Sequence, residues 1–287
     1  MTSERLRIGY VSCLELPEPD IDEKPLVEVI EAAGHEAVVV AWDDPDVDWG
    51  ALDVAVVRAT WNYAHAVDAF SEWIDRVDGQ TRLLNDAATL KWNLDKRYLL
   101  ELEQKGVDIV PTGFFEREER ASIGDVAGSR GWGKIVIKPV VSAGSFGTRV
   151  FDLEGGELDQ AQRFFDEMVA RRGMMVQVFM DSVDTVGETA IVVIDGAISH
   201  AIEKRPRFDD QDEEVYLRET IDDSMRSVAE RVLEAAGRET LYARVDVMPR
   251  ADGELVLSEL ELLEPSLFFP QFPEARGALV QGILKRL

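Results

Sequence analysis

The chain has 287 residues, 46% of them hydrophobic, with 31 basic residues against 56 acidic ones and a formal charge of −25. That length suits two or three compact units, and that charge excludes broad electrostatic binding to nucleic acid or to an anionic membrane, both of which require a basic surface. No apolar stretch approaches the roughly 20 residues of a membrane span, MTSERLRIGY lacks the zones of a signal peptide, and Cys13, the single cysteine, excludes an internal disulfide or a cysteine zinc site. A cytoplasmic protein is expected, with Cys13 either a small buried hydrophobe or a reactive thiol.

In chain order, LRIGYVS predicts a strand, KPLVEVIEAAG a helix with Pro25 in its first turn and Gly34 at its end, and EAVVVAW a second strand. DVAVVRATWNY supplies a third strand. AVDAFSEWIDRV predicts a helix with Phe70, Trp73, Ile74 and Val77 on one face. Strands that alternate with helices and lack polar alternation predict a parallel sheet covered on both sides, with a ligand crevice beyond the strands' carboxyl ends. Arg58, Trp61, Asn62 and Tyr63 fall at such an end, either as substrate contacts or as caps on the core.

LKWNLDKRYLLELEQKG predicts one helix ending at Gly106, with Lys96 inside it. Only eight of the basic residues are lysines, so a lysine in an apolar setting stands out. KIVIKPVV reads as a buried strand carrying Lys138, a charge that needs an anionic partner there. The following SAGSFG, with Ser142, Gly144, Ser145 and Gly147, lets backbone N–H groups approach a phosphate, or is simply a glycine turn. MMVQVFM is a further strand, and ETAIVVIDGAISHAIEK a hairpin turning at Asp195 and Gly196. Its second strand delivers Lys204, Arg205 and Arg207 together. LYARVDVMPRADGELVLSELELLEPSLFF reads as a second hairpin. Glu259 and Glu261, two apart on a strand, share a face, and Asp246 opposes them from the partner strand. Such clustered hard oxygens suit Mg2+, or are an ordinary acidic strand face in a chain rich in acids. His35, His65 and His200 form no triad and read as structural or solvated.

This order of elements resembles the ATP-grasp superfamily, in particular its D-alanine:D-alanine ligase and glutathione synthetase relatives. The fold implied is α/β with an α+β lid: an N-terminal parallel-sheet substrate domain (1–88), then an ATP-grasp domain (89–287) of two nucleotide-clasping subdomains, with the lid at about 112–178. The resemblance implies that Lys96 and Lys138 bind nucleotide phosphates, under a loop carrying Ser142, Gly144, Ser145 and Gly147. Gln177, Val178 and Phe179 would surround adenine, with hinge backbone reading its edge, and Glu188 would hold the ribose. Lys204 would meet the terminal phosphate and Arg244 the developing charge. Asp246, Glu259 and Glu261 would be metal ligands, with Glu261 standing where the D-alanine enzymes carry Asn. Substrate contacts would come from Arg58, Trp61, Asn62, Arg205 and Arg207.

VVRATWNY and ELELLEPSLFF look closer to the branch with the cycloserine-forming O-ureido-D-serine cyclo-ligase. The implied activity is C–N ligation through an acyl phosphate, with ATP and Mg2+ (or Mn2+), on an amino acid or small peptide. The implied partners are a small-molecule carboxylate or amino-acid substrate and, optionally, a second copy of the chain. A small-molecule kinase and a non-catalytic nucleotide-dependent binding protein are the alternative readings.

Overall fold

The computed structural model describes residues 5–205 and 214–287. Its first layer is a four-stranded parallel sheet in the order β2-β1-β3-β4, from β1 (Arg7–Ser12), β2 (Glu36–Ala41), β3 (Val54–Val57) and β4 (Arg82–Leu84). Helix α1 (Glu23–Ala32) covers one face and α2 (Val67–Asp78) the other. Strand alternation sorts the core accordingly. Ile8, Tyr10, Val54 and Val56 face Leu26 and Ile30 of α1, while Val11, Ala55 and Val57 face Phe70, Trp73 and Ile74 of α2. The apolar face read from the sequence of α2 is fully buried.

The single helix expected over LKWNLDKRYLLELEQKG is two, α3 (Ala87–Leu94) and α4 (Tyr98–Gln104). Asp95 interrupts them with an extended backbone (φ −106°, ψ 117°), and its side chain accepts a hydrogen bond from Arg97 N at 2.9 Å. This is the local turn with which aspartate competes against helix continuation. The break frees Lys96 N to donate to Val140 O at 2.8 Å. Lys96 is thus set in a corner against the segment that follows Lys138, not on a solvated helix face.

A second sheet, antiparallel in the order β5-β8-β6-β7, comprises β5 (Thr112–Phe115), β6 (Lys134–Pro139), β7 (Arg149–Asp152) and β8 (Met174–Val178). Helices α5 (Ile123–Gly128) and α6 (Leu158–Val169) pack on one face against Ile135, Ile137, Phe151, Met174 and Val176. β6 alternates in burial instead of running apolar throughout, so Lys138 stands on the opposite face from Ile135 and Ile137.

After a single turn, α7 (Ser182–Thr185), comes the third sheet, antiparallel and five-stranded in the order β11-β10-β9-β12-β13. Its strands are β9 (Glu188–Ile194), β10 (Ala197–Arg205), β11 (Glu214–Leu217), β12 (Tyr242–Pro249) and β13 (Leu255–Glu261). The β9–β10 turn at Asp195 and Gly196 has φ of 51° and 77°, the left-handed pair that a tight hairpin demands. One face of this sheet, with Ala190, Val192 and Tyr242, shares a core with Ile8, Tyr10 and α9 (Glu274–Lys285). The other, with Ile191, Val193, Ala243 and Val245, packs on α4 and α8 (Asp223–Ala236). Asn85 bonds Tyr242 O and Leu262 O, and Asn93 bonds Leu260 O, tying the first layer to the β12–β13 hairpin and the segment after it. No helix of the described residues is long and apolar enough to cross a membrane.

Candidate functional site

Four cations and four carboxylates converge where the second and third sheets face each other. Across β12 and β13, Arg244 pairs in register with Glu261 and Asp246 with Glu259. Lys204 enters from β10 and Glu188, directly opposite it, from β9. Lys138 comes from β6 and Lys96 from the corner between α3 and α4.

The charges match in pairs. Lys204 Nζ lies 2.7 Å from both Asp246 Oδ2 and Glu188 Oε2. Arg244 bridges Asp246, at 2.8 Å, to Glu261. Lys96 Nζ lies 3.0 Å and Lys138 Nζ 3.7 Å from Glu259. Burial pushes the Asp246 carboxyl up, but Arg244 and Lys204 outweigh it and hold it at about 2. Burial likewise opposes ionisation of Glu259, and Lys96 with Lys138 overrides it. Glu261 comes out the other way: burial, with Asp246 and Glu259 beside it, pushes it up to about 7 against the pull of Arg244. Burial, reinforced by Lys96, draws Lys138 down from its ordinary value.

The loop after β6 is anchored from below. Lys96 Nζ donates to Ser142 O at 2.7 Å and lies 3.3 Å from Ser142 Oγ. Gly144, Ser145 and Gly147 have φ of 55°, 61° and 68°. At Gly147 an added Cβ would come within 3.0 Å of Pro139 and Met168, so both space and backbone select glycine there. Phe146 at the loop tip meets His65 edge-on at 4.4 Å, with the Arg172 guanidinium 5.0 Å from its ring.

Several expected contacts are placed elsewhere. Arg58 does not line a crevice: it is 1% exposed, lies 3.6 Å from Asp22, donates to Pro265 O at 2.6 Å and sits over the Tyr242 ring. Asn62 is committed at both ends, its Oδ1 accepting from Trp42 Nε1 at 2.6 Å and its Nδ2 donating to Asp43 at 2.7 Å. Trp61 is half-buried and donates to Glu264 O at 3.1 Å. Arg205 does not join Lys204, because neighbours on a strand point to opposite faces; it is exposed, against Glu203 and Tyr216. Arg207 lies outside the described residues. At the hinge, Val178 N and Phe179 N already donate to Pro111 O and Lys134 O, so these two N–H groups are not free to read a base edge. Gln177 is buried with its amide on Thr112 Oγ1, and Lys134 Nζ sits 3.5 Å from the Phe179 ring centroid. His200 is structural as expected: it lies on the Leu267 carbonyl at 2.9 Å, and burial lowers it to about 4.

One group that sequence reasoning missed stands at the site's edge. Glu264 is 9% exposed, and burial, with Glu261 adding to it, pushes its carboxyl up to about 8. A carboxylate inside the apolar run LELLEPSLFF was the available signal.

The donor set suits a hard divalent cation: three carboxylates from adjacent strands, one of them raised by burial and then by the other two. As they stand, these carboxylates are turned onto lysine and arginine, and among the described residues no three Asp, Glu, His or Cys side chains converge on a common point. A cation would therefore take over carboxylates that Lys and Arg now hold.

Residues 8–85 match the family model described as the N-terminal domain of the D-cycloserine synthetase DcsG. The chain is 30% identical over 285 residues to the cycloserine biosynthesis protein DcsG of Streptomyces lavendulae, covering 93% of this chain and 94% of that one. Its structure is similar to the crystal structure of D-cycloserine synthetase DcsG, with a TM-score of 0.90 at 28% identity over 98% and 99% of the two chains. D-alanine–D-alanine ligase from Bacillus anthracis, in complex with ATP, shares the fold with a TM-score of 0.66 at 14% identity over 98% and 96%. The paired lysines and carboxylates on this scaffold, together with that end-to-end relationship, show that the chain belongs to the ATP-grasp ligases, in the family of the D-cycloserine synthetase DcsG.

Proposed function

We propose that this ATP-dependent ligase activates the carboxylate of an amino acid and closes it onto a nitrogen of the same molecule. The observation that carries the ligase reading is the neutral lattice of Lys96, Lys138, Lys204 and Arg244 against Glu188, Asp246, Glu259 and Glu261. Such a set divides cleanly when ATP enters: phosphate oxygens draw off the cations, and the released carboxylates can hold metal. Asp246, Glu259 and Glu261 would hold Mg2+, or Mn2+ in its place, which when bound neutralises phosphate charge.

In the reaction a carboxylate oxygen of the substrate attacks the γ-phosphorus of ATP, ADP leaves, and an acyl phosphate forms. The nitrogen then attacks the acyl carbon, the bond from that carbon to the phosphate oxygen breaks, and the nitrogen gives up a proton. Lys138, Lys204 and Arg244 stabilise the transferring phosphoryl group, and Lys96 fixes the loop beneath it through Ser142. Glu188 at the start of β9 is the ribose contact. The relationship to DcsG supports the intramolecular version, with O-ureido-D-serine or a near analogue as substrate.

The test is ATP turnover against a panel of amino acids that includes O-ureido-D-serine. Release of ADP and free phosphate in equal amounts, with a dehydrated or ring-closed product, is expected. A stable phosphorylated product without free phosphate would instead mark a kinase.

A further inference from the structure

Beyond the proposed phosphate and metal groups, one ionisable side chain, Glu264, borders the site with a carboxyl oxygen left over. Glu264 Oε2 is buried and makes no hydrogen bond. The backbone around it is unusually well held. Trp61 Nε1 donates to Glu264 O at 3.1 Å, Arg58 to Pro265 O at 2.6 Å and Arg244 to Ser266 O at 3.3 Å. Asp22 accepts from Leu267 N at 2.5 Å and Phe269 N at 2.8 Å. The carboxyl is therefore fixed in position by groups from both the first and the third sheets, yet left incomplete.

Its neighbours locate it. The Tyr63 hydroxyl is beside the Glu264 carboxyl and donates to Ser142 O at 3.4 Å, the carbonyl that Lys96 grips. Glu264 is thus one side chain away from the phosphate loop, on the side of the N-terminal domain. In an α-amino acid the ammonium is one carbon from the carboxylate, so a group that binds the ammonium must lie beside the groups that handle phosphate. A buried oxygen left unsatisfied costs stability, a cost that a donor on a bound ligand would remove.

We propose that Glu264 is the carboxyl anchor for the ammonium group of the amino-acid substrate, ionised once that cation lies against it. This rests on the ligase reading, which assigns no residue to that ammonium. The substrate is then held at both ends, its carboxylate toward Lys138, Lys204 and Arg244 and its ammonium on Glu264.

The experiment is calorimetry on the full chain saturated with AMPPNP and magnesium, with O-ureido-D-serine and its N-acetyl derivative as probes. Wild type should prefer the free amine. Glu264→Gln, which keeps shape and removes charge, should weaken binding of the free amine by about 10- to 100-fold. Binding of the N-acetyl compound and of AMPPNP should stay within about threefold, differences too small to reflect a lost ionic contact. Glu264→Asp should restore part of the preference for the amine. If Glu264→Gln binds the free amine as wild type does, or loses AMPPNP to the same degree, the anchor assignment is overturned and the ligase reading stands. If wild type binds neither probe and consumes no ATP with any amino acid, the ligase reading itself falls, and the anchor with it.

Discussion

Lys204 Nζ and Asp246 Oδ2 are 2.7 Å apart, so a cation suited to phosphate rests on a carboxylate suited to metal. The same holds for Lys138 and Lys96 on Glu259 and for Arg244 on Glu261. Two buried charges of opposite sign are stable only as a pair, and removing one partner leaves the other uncompensated. In the function proposed, each partner of these pairs stands in for the other's ligand.

Lys138 tests the phosphate half. Glu259 keeps Lys96 when Lys138 is removed, so Lys138→Ala should fold, with a thermal midpoint within a few degrees of wild type. ATP turnover should fall by at least about 100-fold, the scale of losing one charge-stabilising group in a transition state. Unchanged ATP affinity and turnover in the folded variant would remove Lys138 from the site.

Glu261 tests the metal half. Glu261→Gln keeps an oxygen ligand and loses the charge, so weak activity should survive at raised magnesium, whereas Glu261→Ala should be nearly inactive. ATP hydrolysis titrated with magnesium reads both. Wild-type metal dependence in the alanine variant would return Glu261 to the role of a partner for Arg244 alone.

Arg58 has changed role between sequence and structure, and its prediction changes with it. Arg58→Ala strands the buried Asp22 carboxylate, which should cost about 3–5 kcal/mol in denaturant unfolding. In the fraction that folds, the substrate concentration at half-maximal rate should hold. A selective rise in that concentration at full stability would restore Arg58 to substrate binding.

Glu264 gives stability a pH slope. Its carboxyl titrates at about 8 in the folded chain against an ordinary 4.5. Between those values the native state holds a proton that the unfolded chain has lost, so stability falls as pH rises from 4.5 through 8; outside that window the slope disappears. Glu264→Gln cannot titrate, so its advantage over wild type in urea midpoint should grow from pH 5.5 to pH 8.5. A difference that does not vary with pH would mean the carboxyl is ionised throughout.

The polar skeleton of the site was legible because strand chemistry is local. Lys138 amid KIVIKPVV, Asp246 in ARVDVM and the two-residue step from Glu259 to Glu261 follow from alternation, and the hairpin register places them together. Alternation also separates Lys204 from Arg205, a step that clustering by sequence ran past. For Arg58 and Asn62 the sequence left substrate contact and core cap both open, since their partners Asp22, Pro265, Trp42 and Asp43 are distant in sequence. The helix break at Asp95 turned on one side-chain hydrogen bond to Arg97 N, which a periodicity count across α3 and α4 does not register. β4, β5 and β11, at three and four residues each, are too short to announce themselves by pattern.

The central claim, that a substrate carboxylate is activated as an acyl phosphate, is tested most directly by oxygen tracing. O-ureido-D-serine labelled with 18O in its carboxylate is turned over with ATP and magnesium, and the released phosphate is analysed by mass. The account predicts one 18O in each phosphate, carried from the carboxylate when the acyl carbon is attacked. Phosphate released without label, while ATP is consumed, would contradict it.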